Sequence, residues 1–275
     1  MERVMEHCLF PGRSLPATSY PAGEVREWWN PDSLENYRIR GGHSIYGEHD
    51  VLYRFNSLGY RGSDFSAQAD IRIVAVGCSY VFGLGLPQEH LFHERFAEKL
   101  RSTVPHSAIV WNLAVAGASN DYISRILYQA LPLLDPHIVL VNFTHLRRRE
   151  YVSVENKVVK YLPSHTPADS VQQMICRHFE ALSSPFDDYL NHFRNYKAVE
   201  HAVANRCWLY SQPEWLPKPA YLDCEHWAGP LCSVDKARDG DHPGPVSHRV
   251  LAALYWDKFV ALGGLETITS MIRRS

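Results

Sequence analysis

The chain has 275 residues, with 28 Lys plus Arg against 30 Asp plus Glu and a formal net charge of −2. Such a balance provides no basic excess for a phosphate backbone, which excludes nucleic acid as the expected partner. No apolar run reaches the roughly 18 residues of a membrane helix, and the first eleven residues are acidic without the apolar stretch of a secretory leader, so the sequence predicts a soluble, cytoplasmic protein with no membrane span.

Residues 1–70 are rich in Pro, Gly, Tyr and charge, too aromatic for disorder, and predict an ordered amino-terminal extension with a strand-like piece over 51–55. From Ile71 the pattern becomes apolar strands alternating with amphipathic helices: a strand over 71–76, a helix over 88–100, a strand over 108–115, a helix over 121–134 and a strand over 138–143. This alternation predicts an α/β domain, 71–275, built on a parallel sheet. In the helix over 121–134, Ile123, Ile126, Leu127, Ala130, Leu131 and Leu134 share one face, and Ser119 or Asn120 can cap its start. Residues 150–206 show helical tendency over 171–182 and 187–204 and predict a helical insertion that roofs the site. A strand over 207–211 and a closing helix over 245–262 follow, with Val246, Val250, Leu251, Leu254 and Phe259 as candidate core positions. Six scattered cysteines (Cys8, Cys78, Cys176, Cys207, Cys224, Cys232) predict reduced thiols and no structural disulfide.

The first core strand runs into Gly77-Cys78-Ser79, a small-residue turn that sets a serine hydroxyl at the carboxyl end of a buried strand, where open α/β sheets keep their sites. Serine needs a base to take its proton, and the base needs a partner to hold its tautomer. Far downstream, Asp239-Gly240-Asp241-His242 can supply both: His242 as base and Asp239 as orienter, from one turn. The alternative is a polar turn ahead of a helix. Cys78 is a rival nucleophile, although small buried cysteines are common packing residues. Cys224, His226, Cys232 and His242 do not reproduce zinc-ligand spacing, so no metal is expected. The run Arg147-Arg148-Arg149-Glu150 follows a strand, where an arginine, Arg149 first, can hold a substrate carboxylate or phosphate, or else be solvated or paired with Glu150.

Taken in order, these pieces resemble the GDSL/SGNH hydrolase superfamily. Gly77-Cys78-Ser79 is similar to its nucleophile block, the stretch from Asn112 to Gly117 to its block with the oxyanion glycine, and Asp239 to His242 to its last block. The resemblance implies a three-layer α/β/α flavodoxin-like parallel sheet and a serine esterase or acyl hydrolase with no cofactor. Its substrate would be a small-molecule carboxylic ester or thioester, cleaved through an acyl-enzyme. It also implies that the N–H groups of Ser79 and Gly117 face the reacting carbonyl oxygen, with a side-chain amide completing the oxyanion hole. Two positions depart from the family pattern: Cys78 stands for an aspartate, and the Gly-x-Asn-Asp third block is missing, the strand leading instead into Thr144 and His145. Asn120 is the first substitute donor, followed by Thr144 and Asn142. Two further functions stay open: acyl transfer to an alcohol or amine, for which a thioester donor would make an acyl carrier protein a partner, and a non-catalytic binding protein on the same scaffold.

Overall fold

The computed structural model describes residues 15–152, 158–163 and 169–273; Cys8 and the amino-terminal residues read for a leader lie outside them. In chain order the extension holds β1 (Val25–Arg26), α1 (Leu34–Ile39) and β2 (Tyr53–Arg54), with β1 and β2 antiparallel. The core begins with β3 (Ile71–Val76), α2 (Ser79–Phe82), α3 (Phe92–Thr103), β4 (Ala108–Asn112), α4 (Asn120–Leu134) and β5 (Ile138–Asn142). A hairpin of β6 (Arg149–Val152) and β7 (Val158–Tyr161) follows, then α5 (Ser170–Leu182), α6 (Pro185–Ala202), β8 (Cys207–Pro213), β9 (Trp227–Leu231), α7 (Pro245–Ala261) and α8 (Gly264–Ile272).

The five core strands pair in parallel in the order β4-β3-β5-β8-β9. The first core strand is therefore central and the second lies at the edge, the flavodoxin-like order, whose switch point falls between β3 and β5. The strands read as unbroken apolar runs because both faces are covered. Ile71, Ile73 and Ala75 point to one side, against Phe92, Phe96 and Leu100 of α3 and Leu251, Tyr255 and Phe259 of α7. Val74 and Val76 point to the other, against Ile123, Ile126 and Leu127 of α4 and Tyr196 and Val199 of α6. The three-layer α/β/α expectation matches this architecture.

Two sequence expectations differ from the structure. Residues 150–206 are not wholly helical: the stretch opens with the β6–β7 hairpin, and α6 is the crossover that returns the chain from β5 to β8 while packing on α4. On α7 the buried face is Ser247, His248, Leu251, Ala252, Tyr255, Trp256 and Phe259, whereas Val250 is exposed. Choosing the face by apolarity alone missed it because two of its members are paired polar groups. Ser247 Oγ donates to Asp235 Oδ1 at 2.6 Å, and His248 Nδ1 accepts from Phe92 N at 3.1 Å. Among the described residues the five cysteines are unpaired, and no helix is long and apolar enough to cross a membrane.

Candidate active site

The serine turn is fixed by the steric demands of a glycine. A Cβ at Gly77 would collide with Val81 and lie 2.9 Å from the Asn142 carbonyl oxygen, so only glycine lets β3 pass directly into α2. Ser79 is the first residue of that short helix, where a backbone N–H has no carbonyl one turn earlier to bond. Phe82 N bonds Cys78 O at 2.9 Å, and the turn closes at Gly83 in the left-handed region. Beneath it lies the fully buried Arg61 of the extension. Its guanidinium donates to the carbonyls of Phe82 and Gly83 and stacks 4.5 Å from the Tyr53 ring centroid. With so little water around it, Arg61 has its pKa pulled down to about 10.

The base loop is similarly determined. His242 Nδ1 bonds Asp239 Oδ2, while Asp239 Oδ1 accepts the backbone N–H groups of Asp241 at 3.2 Å and His242 at 3.1 Å. Burial alone would push the Asp239 carboxyl up, but the His242 ring and these N–H groups hold it below its ordinary value. A carboxylate facing Nδ1 favours the proton on that nitrogen and leaves Nε2 as the acceptor. The loop touches the serine turn at Gly85, whose carbonyl accepts from Arg238 N at 3.0 Å. A Cβ at Gly85 would stand 2.9 Å from Ala237 Cβ, Arg238 N and Asp239 N. Tyr80, next to Ser79, meets the His242 ring edge-on with centroids 5.5 Å apart. Thus Ser79, Asp239 and His242 come to one end of the sheet, although among the described residues no hydrogen bond joins Ser79 Oγ to His242.

A buried polar network ties both loops to the extension. Arg238, beside Asp239, donates to Asp32 from Nη2 at 2.7 Å and from Nε at 3.1 and 3.2 Å, with both side chains essentially inaccessible. Its guanidinium also reaches Glu48 O at 2.8 Å and lies 3.7 Å from the Trp28 ring centroid. Tyr53 OH donates to Asp32 Oδ2 at 2.6 Å and accepts from Gly85 N at 2.7 Å, so one chain of bonds runs from the base loop through Asp32 and Tyr53 to the serine turn. Sequence reasoning missed Asp32, Arg61 and Arg238. The nearest signal was an arginine directly beside Asp239.

Across the sheet end, Leu113 N bonds Ala75 O at 2.8 Å and Val115 N bonds Gly77 O at 3.4 Å. These bonds hold the loop after β4, which goes on to Gly117 at φ +74°, alongside the end of β3. Ser119, not Asn120, caps α4, with Oγ accepting from Tyr122 N at 3.1 Å. The Asn120 amide instead clamps the opposite loop, accepting from Thr144 N at 2.9 Å and donating to Thr144 O at 3.2 Å. Asn142, fully buried beneath the sheet end, donates from Nδ2 to Ser211 Oγ at 2.6 Å, while its Oδ1 has no partner among the described residues. Thr144 Oγ1 accepts from Arg148 Nη1 at 3.0 Å, which leaves its own O–H to donate.

Arg149 does not face the site. It is buried against Asp188 at 2.9 Å and Asp187 at 3.4 Å, because α6 brings two carboxylates over the hairpin; Arg148 is the member of the run that reaches the serine-side loops. Cys78 is buried in the cluster with Val74, Val76 and Tyr122. Among the described residues no group of three or more His, Cys, Asp or Glu side chains is arranged to hold a metal ion.

No family model and no curated protein matches the chain. Solved structures are similar at low identity. The crystal structure of TesA gives a TM-score of 0.43 at 12% identity over 70% of this chain and 99% of that one. A psychrotrophic esterase EstA from Pseudoalteromonas sp., inhibited by monoethylphosphonate, gives 0.41 at 14% over 69% and 97%. The lipase Lip_vut3 from a goat rumen metagenome gives 0.39 at 13% over 70% and 97%.

Proposed function

We propose that the chain is a serine acyl hydrolase of the GDSL/SGNH type, cleaving a carboxylic ester or thioester through an acyl-enzyme. The observation that carries this proposal is the Asp239–His242 pair, formed within one turn and seated through Gly85 against the loop that begins with Ser79. Ser79 Oγ attacks the carbonyl carbon while His242 Nε2 takes its proton, and Asp239 holds the ring and balances the imidazolium charge. The oxyanion is met by the N–H groups of Ser79 and Gly117. Thr144 O–H is assigned as the third donor, since both ends of the Asn120 amide bond the Thr144 backbone and Asn142 is fully buried against Ser211. Collapse of the tetrahedral intermediate breaks the bond to the leaving oxygen or sulfur, which takes the proton from His242. Water then attacks the acyl-Ser79 carbonyl carbon with His242 again as base, releasing the acid and restoring the serine hydroxyl.

A second reading, acyl transfer to an alcohol or amine, draws on the hairpin side. Leu162, just beyond β7, packs within 3.2 Å of where a Gly117 Cβ would stand, an apolar cover of the kind that disfavours water as acceptor. Activity against a panel of activated esters and thioesters tests the chemistry. Ser79→Ala should lose turnover and Cys78→Ala keep it, and the opposite pattern would make the cysteine the nucleophile. Product analysis with and without an added alcohol or amine separates hydrolysis from transfer.

A further inference from the structure

Basic side chains around the hairpin fall into two sets. Arg147 pairs with Asp188 at 3.7 Å, Arg149 with Asp188 and Asp187, and Arg125 binds both carboxylate oxygens of Glu150 at 3.0 and 3.1 Å. Arg148 and Lys160 differ. Half-buried, Arg148 has no carboxylate partner among the described residues. Its bonds go from Nη1 alone to two neutral oxygens, Thr144 Oγ1 at 3.0 Å and Ala118 O at 3.4 Å. Those oxygens belong to the two loops that flank the proposed oxyanion position, one directly after Gly117. A guanidinium has five N–H donors in a fork suited to a planar or tetrahedral oxyanion group, so most of its donors remain to be used.

Lys160 stands on β7, two residues before Leu162, the residue packed on Gly117. It lines a cavity of about 290 Å³ together with Tyr60, Val115, Tyr122, Arg125 and Glu150. Its ammonium makes no hydrogen bond or ion pair among the described residues, and the nearest aromatic face, Tyr122, is 6.0 Å away. The one carboxylate in the cavity wall, Glu150, is already held by Arg125. Burial pulls the Lys160 pKa down, only partly offset by the nearby Glu150 charge, with Arg125 and Arg148 adding to the fall.

A neutral ester needs neither cation, and partly desolvated positive groups with no carboxylate bonded to them are costly. We propose that the substrate of this serine centre carries an anionic group, a carboxylate or a phosphate, which Arg148 holds beside the oxyanion loop with Lys160 adding charge from the neighbouring cavity. This deepens, and rests on, the serine hydrolase proposal. Two matched pairs test it on the full chain and locate the anion: 4-nitrophenyl butyrate against 4-nitrophenyl hemisuccinate, and S-acetylpantetheine against S-acetyl-4′-phosphopantetheine. The first pair puts a carboxylate on the acyl side and the second a phosphate on the leaving group.

In at least one pair the anionic member should be favoured in kcat/KM by about tenfold, the scale of one charge-assisted hydrogen bond. Arg148→Ala should abolish that ratio, Arg148→Lys retain part of it, and Lys160→Met lower it about threefold. The ratio within each variant cancels any general loss of catalysis or folding. Ratios near one for both pairs, or a ratio unchanged by Arg148→Ala and Lys160→Met, overturn the anion site if a fluorophosphonate still labels Ser79. Failure of that label instead overturns the serine centre, and the anion site with it.

Discussion

Asp32→Ala perturbs the site without touching a reacting residue. Asp32 accepts three N–H contacts from Arg238 and the hydroxyl of Tyr53, and neither charged side chain reaches water. Removing the carboxylate leaves a guanidinium buried on neutral acceptors, among them the carbonyl of Glu48, and strips Tyr53 of its acceptor. Breaking one side of a buried pair costs about 3–5 kcal/mol. At about 2–4 °C per kcal/mol for a domain near this size, that corresponds to a fall in Tm of roughly 6–20 °C. Because Arg238 adjoins Asp239 and Tyr53 holds Gly85 N, ester turnover should fall below the melting transition as well. Thermal unfolding by circular dichroism, with turnover assayed well below the transition, measures both effects. Asp32→Leu combined with Arg238→Met should recover much of the Tm, since an apolar pair can replace a buried ion pair. A Tm and turnover unchanged in Asp32→Ala would refute the idea that the extension braces the base loop.

Gly85→Ala should unfold the contact between the two loops, because its Cβ would lie 2.9 Å from Arg238 N and Asp239 N at a backbone φ of +72°, and the loss is read as lower Tm and lower turnover together. Thr144→Val should cut kcat/KM by about 10²–10³ with Tm nearly unchanged, as for loss of one oxyanion donor, whereas Asn120→Ala should lower Tm first by freeing the Thr144 backbone. Stability should fall in acid: burial holds His93 and His248 neutral, with pKa values lowered from 6.5 to about 3, so below pH 6.5 the unfolded chain binds more protons. Stability from these two groups is therefore full above pH 6.5 and lost toward pH 3. The slope approaches about 2.7 kcal/mol per pH unit where both contribute, measurable by urea unfolding across that range.

The parallel core was legible because its strands are apolar runs of β-branched residues, and a sheet covered on both faces leaves that signature directly in the sequence. The serine and histidine turns were legible for a different reason, since small residues and a short Asp–His spacing are local patterns. What escaped depends on distance. Asp32 and Arg238 lie far apart in sequence, and nothing in either segment says that the two will meet. The run from Arg147 to Arg149 does not itself say which arginine finds an acid; Asp187 and Asp188 at the start of α6 decide it by binding Arg149. The β6–β7 hairpin was hidden in a stretch whose polar and aromatic residues follow neither period cleanly. β9, Trp227–Leu231, carries Gly229 and Pro230 within five residues, and both weaken a strand pattern at the sheet edge, where they are tolerated.

Ser79 as an activated nucleophile is tested most directly by intact-mass measurement after incubation with a fluorophosphonate. One adduct, mapped to Ser79, absent from Ser79→Ala and strongly slowed in His242→Ala, is the expected result. No adduct on the folded wild-type chain, or an adduct that persists undiminished in His242→Ala, would contradict a serine activated by the Asp239–His242 pair.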